Sequence, residues 1–319
     1  MNKENDDQLN SEFELFFNQN SYRHFDAYQD FSRISSEFIP NWFRPMVEDE
    51  ERNIYYKKML EGKVNDKIVI DLGAGTGMWT MEALAGGARF VYVVEKNPVL
   101  VKYLTKIFSG KPVKVLGKDI ADLKISDFDL GSPEIVVHEI FSTLAISEGI
   151  VPAFQKINSL FKNKIAYYPQ YFWMNAQVTT VEPLTLTKIE TDILGSNADV
   201  YFELIYPARI RSRAVTDNLQ LNETKTYELN FVDLSTIDDN FQVSLADLPV
   251  DLHPGKVHQV YLGFKFSAHK EEPCFDTLKT ESHWGGVVAE FYVAKSLKSQ
   301  KKVLKFELNE MNIDSFSLS

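Results

Sequence analysis

Two carboxylates, Glu139 and Glu148, stand in the stretch His138-Glu-Ile-Phe-Ser-Thr-Leu-Ala-Ile-Ser-Glu148-Gly149, directly after the apolar run Pro133-Glu-Ile-Val-Val137. A loop that follows a strand of a doubly wound sheet lines the ligand crevice, so both side chains face an acceptor there. Two unpaired carboxylates in a concave site repel each other and raise one pKa, whereas a guanidinium between them satisfies both through forked, charge-assisted hydrogen bonds. The plainer alternative is that one of them caps the following helix or is solvated. A second group of residues suits a nucleotide-like ligand. Ile68-Val-Ile-Asp-Leu-Gly-Ala-Gly-Thr-Gly77 reads as a buried strand that breaks into alternating glycines, and Gly73, Gly75 and Gly77 let a ligand approach the backbone N–H groups. Asp71 lies at the carboxyl end of that strand and is expected to point at the crevice. Glu95 ends the run Phe90-Val-Tyr-Val-Val94, about 18 residues past Gly77, where an acidic side chain accepts from ribose hydroxyls. Asp119, after Val113-Lys-Val-Leu116-Gly-Lys118, can face an adenine amine. Spacing narrows the ligand further. Gly77 follows Gly75 too closely for a dinucleotide fingerprint, position 78 is Met, and no Gly-Lys-Ser/Thr follows to make a phosphate loop.

The elements that must position these residues are legible as a change of period. From 64 to 166, apolar β runs alternate with helical segments at 68–72, 78–85, 90–94, 98–108, 113–116, 134–138 and 150–162, which predicts a parallel sheet covered on both faces. Residues 11–61 read as helical, with Pro40 and Pro45 as breaks and the charge run Glu48-Asp-Glu-Glu-Arg52 near the end. After Pro169 the period becomes two, in Tyr171–Thr180, Val200–Tyr206, Thr226–Leu234, Val257–Ala268, Gly286–Val293 and Lys302–Leu308. That predicts an antiparallel sheet or barrel. The expected organisation is a helical segment over 1–61, an α/β lobe over 62–168 and a β-barrel-like lobe over 169–319.

Composition bounds the partners. A chain of 319 residues supports two cores, and a net charge of −11 disfavours a nucleic-acid backbone, whose binding depends on Lys and Arg. It suits a cationic substrate, or simply solubility. The single cysteine, Cys274, excludes an internal disulfide and a Cys-x-x-Cys zinc pair, in keeping with a reducing compartment, so the cytoplasm is the expected location. No stretch approaches the ~18 apolar residues of a membrane helix, and the N-terminus has no apolar secretion core. His24, His138, His253, His258 and His269 have no partner at metal spacing, so no metal is expected.

The glycine turn with Glu95 and Asp119 resembles the motifs of class I S-adenosylmethionine (SAM) methyltransferases. Glu139-x8-Glu148 resembles the double-glutamate loop of the protein arginine methyltransferases, and its internal sequence is most similar to the type III, monomethylating branch. Glu281-Ser-His-Trp284 resembles the Thr-His-Trp loop of that family, with Ser282 in place of Thr. Met46-Val-Glu-Asp-Glu-Glu-Arg52 resembles the helix whose methionine covers the cofactor and whose arginine holds its carboxylate. The motifs occur in the family's order, from about residue 42 onward.

The resemblance implies a Rossmann-like SAM-binding lobe joined to a β-barrel. It further implies Glu139, Glu148 and His283 as catalytic residues and Glu139, Glu148 and Trp284 at the acceptor. The cofactor residues it implies are Met46, Arg52, Asp71, Gly73, Gly75, Gly77, Glu95 and Asp119. It places His283 against a carboxylate, with Trp284 packed beneath. It also implies a homodimer, although Leu184–Asn222, where a dimerisation arm would be inserted, reads as β with Arg209, Arg211 and Arg213 rather than as a helical pair. Bulky Phe141 and the monomethylating loop point to a single methyl transfer. Three functions follow: methylation of arginine in a protein or peptide, methylation of free L-arginine or a related guanidino metabolite, and a non-catalytic SAM-binding regulatory module. The intact carboxylate pair speaks against the last.

Overall fold

A computed structural model describes residues 43–142, 145–146, 148–161, 165–206, 209–213, 225–271, 274–280, 282–284, 286–309 and 312–318, and every count of elements refers to these. The helices expected before residue 43, Pro40 and His24, lie outside them. Helix α1 (Phe43–Glu48) carries Pro45 in its first turn, where no intrahelical N–H bond is lost, so this proline does not break the helix as the sequence reading had it. The break falls at Asp49, which caps helix α2 (Glu50–Leu60) by accepting from Arg52 N–H.

Strand β1 (Ile68–Leu72) is buried along its whole length. It leads into α3 (Met78–Ala85), β2 (Phe90–Glu95), α4 (Pro98–Ile107), β3 (Val113–Gly117), β4 (Ile135–His138), α5 (Ile150–Phe161) and β5 (Ala166–Tyr168). The five strands are parallel in the order β3-β2-β1-β4-β5, with β1 central, which is why Ile68-Val-Ile-Asp-Leu72 reads as one apolar run rather than an alternation. The order switches direction beside β1 and β4, so the loops after these two strands flank one crevice. The three-residue β5, where the sequence showed only a punctuating Tyr-Tyr-Pro, is parallel to β4 and ends at the cis Tyr168–Pro169 bond.

Strand β6 (Tyr171–Val181) begins the second sheet. It is followed by α6 (Lys188–Leu194), α7 (Ala198–Ile205), β7 (Arg209–Arg213), β8 (Thr226–Glu228), β9 (Val232–Asp233), β10 (Leu248–Leu252), β11 (Val257–Ser267), β12 (Phe275–Asp276), β13 (Gly286–Tyr292), β14 (Gln300–Asn309) and β15 (Asn312–Leu318). The larger antiparallel sheet runs β7-β13-β11-β6-β8, and β10-β14-β15 form a smaller one. Strands β6 and β11 pair over eleven residues, from Val257 opposite Val181 to Ser267 opposite Tyr171, which puts Phe172, Met174, Phe264 and Phe266 on the inner face. These side chains belong to the same hydrophobic core as Ile70, Tyr56 and Phe154, so the two sheets share one continuous interior.

One expectation fails here. Val200–Tyr206 is not a strand but most of α7, and α6 precedes it, so the segment does hold a helical pair. Thr187 and Glu190 form a reciprocal capping box at the start of α6, a Thr-x-x-Glu signal that is readable in the sequence. The alternation of Val-Tyr-Phe-Glu-Leu-Ile-Tyr mimics a strand. What decides for helix is that Phe202 alone is buried within α7, against Tyr292 with ring centroids 5.2 Å apart.

Candidate active site

The glycine turn after β1 is closed by bonds from the N–H groups of Gly73 and Ala74 to the carbonyl of Val94. All three glycines have positive φ, but two of them serve different ends. A Cβ at Gly73 would stand 2.7 Å from Cγ2 of Ile140, the neighbour of Glu139, so a bare backbone here keeps the turn and the double-glutamate loop in contact. A Cβ at Gly77 would meet Leu104 at 2.7 Å and Phe108 at 2.9 Å. Gly77 is therefore a helix-packing glycine and does not line the cavity, contrary to the cofactor role expected of it. Asp71 likewise turns away. Its Oδ2 accepts from the Thr80 N–H and hydroxyl at 2.8 and 2.6 Å, fixing the start of α3. Burial raises its carboxyl to about 7, against the Thr80 bonds that lower it. Asp71 is a buried brace for the turn rather than a ligand-facing group.

A cavity of about 1010 Å³ opens between the two sheets. Met46, Arg52, Gly73, Gly75, Glu95, Asp119, Glu139, Glu148, His283 and Trp284 all line it, so ten of the expected site residues converge there from helices α1 and α2, the ends of four strands (β1 to β4) and the loop before β13. Glu95 is held in place by Gly75 N–H on one carboxylate oxygen (2.8 Å) and Asn97 N–H on the other (2.7 Å). Each oxygen keeps a lone pair for a ligand hydroxyl. Asp119 accepts from Ala121 N–H and from Lys96, and these bonds hold its carboxyl below the usual carboxylate range.

Helix α2 turns a polar face inward. Asp49, Arg52 and Tyr56, at i, i+3 and i+7, are all buried, and each ties the helix to a different part of the site. The Tyr56 hydroxyl donates to the carbonyl of His138 at 2.9 Å, at the end of β4. His138 in turn donates from Nε2 to the carbonyl of Pro169 at 2.9 Å, and burial drops its pKa to about 4, so it is neutral. The first residue of the double-glutamate loop is thus anchored on both sides. Arg52 Nη1 donates to Glu139 Oε2 at 3.1 Å, with 2% and 7% of the two side chains exposed. The other oxygen, Glu139 Oε1, is buried and accepts no hydrogen bond from the described residues. Burial raises Glu139 to about 8, with Glu148 and Asp49 adding to the rise and Arg52 opposing it. Glu148 differs in setting: it is exposed at the cavity wall, where partial desolvation raises its carboxyl and the charge of Lys96 opposes the rise.

Asp49 is the carboxylate that meets His283. Its Oδ2 accepts from His283 N–H and Nδ1–H, both at 2.8 Å, while Oδ1 caps α2. Burial would raise Asp49, but the bonds from His283 and Arg52 outweigh it and hold it low. Burial and the charge of Arg52 keep His283 neutral against the pull of Asp49. Trp284 is packed in the interior and donates from Nε1 to the carbonyl of Phe141 at 2.9 Å, which locks the loop before β13 to the double-glutamate loop. Glu281 lies outside the described residues. Phe141 lines the cavity, and its ring is 2% exposed and stacks on Phe266 at 5.2 Å, so it stiffens the cavity wall.

Sequence reasoning missed Asp49 and Asn53, although both lie inside the quoted Met46–Arg52 motif or next to it. It also missed Trp79, which stacks on Tyr56 at 4.4 Å and lies under the Arg52 guanidinium at 5.4 Å. An Asp before a helical run is a capping signal, and that signal was available.

The residues fit a SAM-type cofactor: a carboxylate for ribose at Glu95, an acidic group for the adenine amine at Asp119, a guanidinium for an amino-acid carboxylate at Arg52, and a cradle at Gly73 that a side chain would fill. Among the described residues no group of three or more His, Cys, Asp or Glu side chains is placed to hold a metal ion, and no helix is long and apolar enough to cross a membrane.

No protein-family profile matches the chain. It is 33% identical over 146 residues to protein arginine N-methyltransferase 7 of Rattus norvegicus, covering 41% of this chain and 20% of that protein. It is 33% identical over 129 residues to an arginine N(omega)-methyltransferase of Streptomyces achromogenes subsp. streptozoticus, covering 39% and 36%. The backbone superposes on a crystal structure of PRMT6 with SAH at a TM-score of 0.62 and 17% identity, covering 86% of this chain and 98% of that one. A Trypanosoma brucei PRMT1 enzyme–prozyme complex with AdoHcy gives the same TM-score at 16% identity, covering 87% and 91%. Over the stretch matched in sequence, the chain is similar to arginine methyltransferases. Its fold, a Rossmann-like lobe followed by an antiparallel β lobe, is the one those structures share. The matched stretch spans about a fifth of the rat relative and about a third of the bacterial one.

Proposed function

We propose that the chain is a SAM-dependent N-methyltransferase that modifies an ω-nitrogen of arginine in a protein or peptide and stops at the monomethyl product. The observation that carries this reading is Glu139, a carboxylate buried in the cavity whose Oε1 has no hydrogen-bond partner among the described residues. Such an oxygen costs free energy unless a ligand donates to it, and a guanidinium donates in the planar fork that matches it. The relatives' names support arginine as acceptor.

SAM, when bound, supplies an electrophilic methyl group. The chain's own residues do the rest. Glu139 and Glu148 accept from guanidinium N–H groups, draw the positive charge toward themselves, and leave one terminal nitrogen with lone-pair character. Neutral His283, braced by Asp49, and Trp284 fix the wall beside the start of α2, so the acceptor is held rather than merely admitted. Met46, Arg52, Gly73, Gly75, Glu95 and Asp119 hold the cofactor. The lobes divide near residue 168, at the change from parallel to antiparallel pairing, and helices α1 and α2 precede the first of them. Helices α6 and α7 expose Ile189, Ile193, Val200 and Leu204, each more than 60% accessible, and these residues form the apolar face of a homodimer.

A second reading, methylation of free L-arginine, is favoured by the name of the Streptomyces relative. Incubating the protein with methyl-labelled SAM and, separately, an arginine-rich peptide, free arginine and a lysine peptide separates the readings. Label in the arginine peptide alone supports the first, and label in free arginine alone supports the second. Label in the lysine peptide, or in none, refutes arginine chemistry.

A further inference from the structure

Apart from Glu139, the side chains that orient the Arg52 guanidinium among the described residues carry no charge. Its Nε and Nη2 both donate to the amide oxygen of Asn53, at 3.1 and 2.7 Å. Its plane lies over Trp79, and Nη2 stands 3.9 Å from the sulfur of Met78. Glu139 is the one carboxylate bonded to it among the described residues. The amide of Asn53 cannot be turned over, because its Nδ2 donates to the carbonyl of Val47 at 2.9 Å. Reversal would lose that bond and set an amide NH₂ against a guanidinium.

A fork of two N–H groups onto one side chain is the arrangement in which arginine usually meets a carboxylate. Here an amide of the same shape takes that place. A carboxylate at this position would aim the guanidinium equally well but would neutralise it. Arg52 would then offer less to Glu139, whose pKa it holds down, and less to an incoming anion.

We propose that Asn53 is a positioning residue: its amide oxygen aims the Arg52 guanidinium while leaving the charge free for two carboxylates, that of Glu139 and the amino-acid carboxylate of the methyl donor. The second half rests on the SAM reading above. Asn53 thereby sets how the donor site and the acceptor clamp share one positive charge.

The test compares the wild-type protein with Asn53→Asp and Asn53→Ala by titration calorimetry against two ligands. S-Adenosylhomocysteine carries the amino-acid carboxylate, and 5′-methylthioadenosine keeps the nucleoside but lacks it. Asn53→Asp should weaken S-adenosylhomocysteine tenfold or more, leave methylthioadenosine within twofold, and move the acidic limb of the kcat/KM profile to higher pH. Asn53→Ala, which removes the aim without adding charge, should weaken S-adenosylhomocysteine less than Asn53→Asp does. Retained methylthioadenosine binding shows that each variant is folded. Unchanged S-adenosylhomocysteine affinity in Asn53→Asp overturns the proposal, and so does an equal loss for both ligands. If the wild type binds neither ligand, the SAM reading falls, and this inference with it.

Discussion

Glu139→Gln should produce a protein that is more stable and nearly inactive. The Glu139 carboxyl has its pKa raised from an ordinary 4.5 to about 8 by burial. The sign follows from proton counting. Between those two values the unfolded chain has lost the proton and the folded chain still holds it, so wild-type stability falls as pH rises through that window. At ~1.4 kcal/mol per pH unit, the accumulated cost at pH 7 is on the order of 3 kcal/mol. Gln has the shape of the protonated acid and never ionises, so the variant escapes this cost. Its melting temperature should exceed that of the wild type by several degrees at pH 8, with the difference vanishing near pH 4. Turnover should move the other way. A carboxylate contributes charge-assisted hydrogen bonds of ~1.5–3 kcal/mol each, and loss of one or two of them corresponds to roughly ten- to ten-thousandfold in rate. Label transfer to an arginine peptide and thermal unfolding at pH 4, 6 and 8 measure both sides. A melting temperature that drops at pH 8 would show Glu139 to be a structural counter-ion of Arg52. Turnover within about fivefold of wild type would remove it from the clamp.

Because ionised Glu139 is the form that clamps, kcat/KM for the acceptor should climb with pH up to about 8; a profile flat from pH 6 to 9 would exclude this dependence. Glu95→Ala should weaken SAM by a few kcal/mol, at ~1.5–3 kcal/mol per lost charge-assisted bond, and unchanged calorimetric affinity would take Glu95 out of the site. Glu148→Gln should cut turnover strongly with SAM affinity nearly intact, since its argued role concerns the acceptor alone. Mass spectrometry after long incubation should find ω-monomethylarginine as the main product, and abundant dimethylarginine would overturn that part of the reading. Ile193→Glu should convert a dimer to a monomer in sedimentation experiments, and an unaltered dimer would move the interface off α6 and α7.

Much of this protein is written locally in its sequence. The glycine turn, the parallel strands 68–72, 90–95 and 113–117, and the switch to period two after Pro169 follow from side chains that repeat with the pleat or the helix, and such repeats survive without knowledge of any distant contact. The carboxylates at 95 and 139 were visible for the same reason, as strand-end residues, and Glu148 by its spacing from Glu139. What the sequence could not give was the pairing across distance. Asp49 meets His283 from 234 positions away, and Arg52 meets Glu139 from 87. Both pairs exist because α2 lays a polar face over the ends of β4 and the loop before β13. The sequence shows that polar face only as a run of charges, the usual mark of a solvated surface. Asp71 erred the opposite way: a strand-end acid looks ligand-facing until the fold reveals Thr80 beneath it. In α7, local alternation favoured a strand, and burial of Phe202 against Tyr292 overrode it. Tertiary structure decided those cases because burial and partner, more than residue type, set whether a charged side chain braces the fold or waits for a ligand.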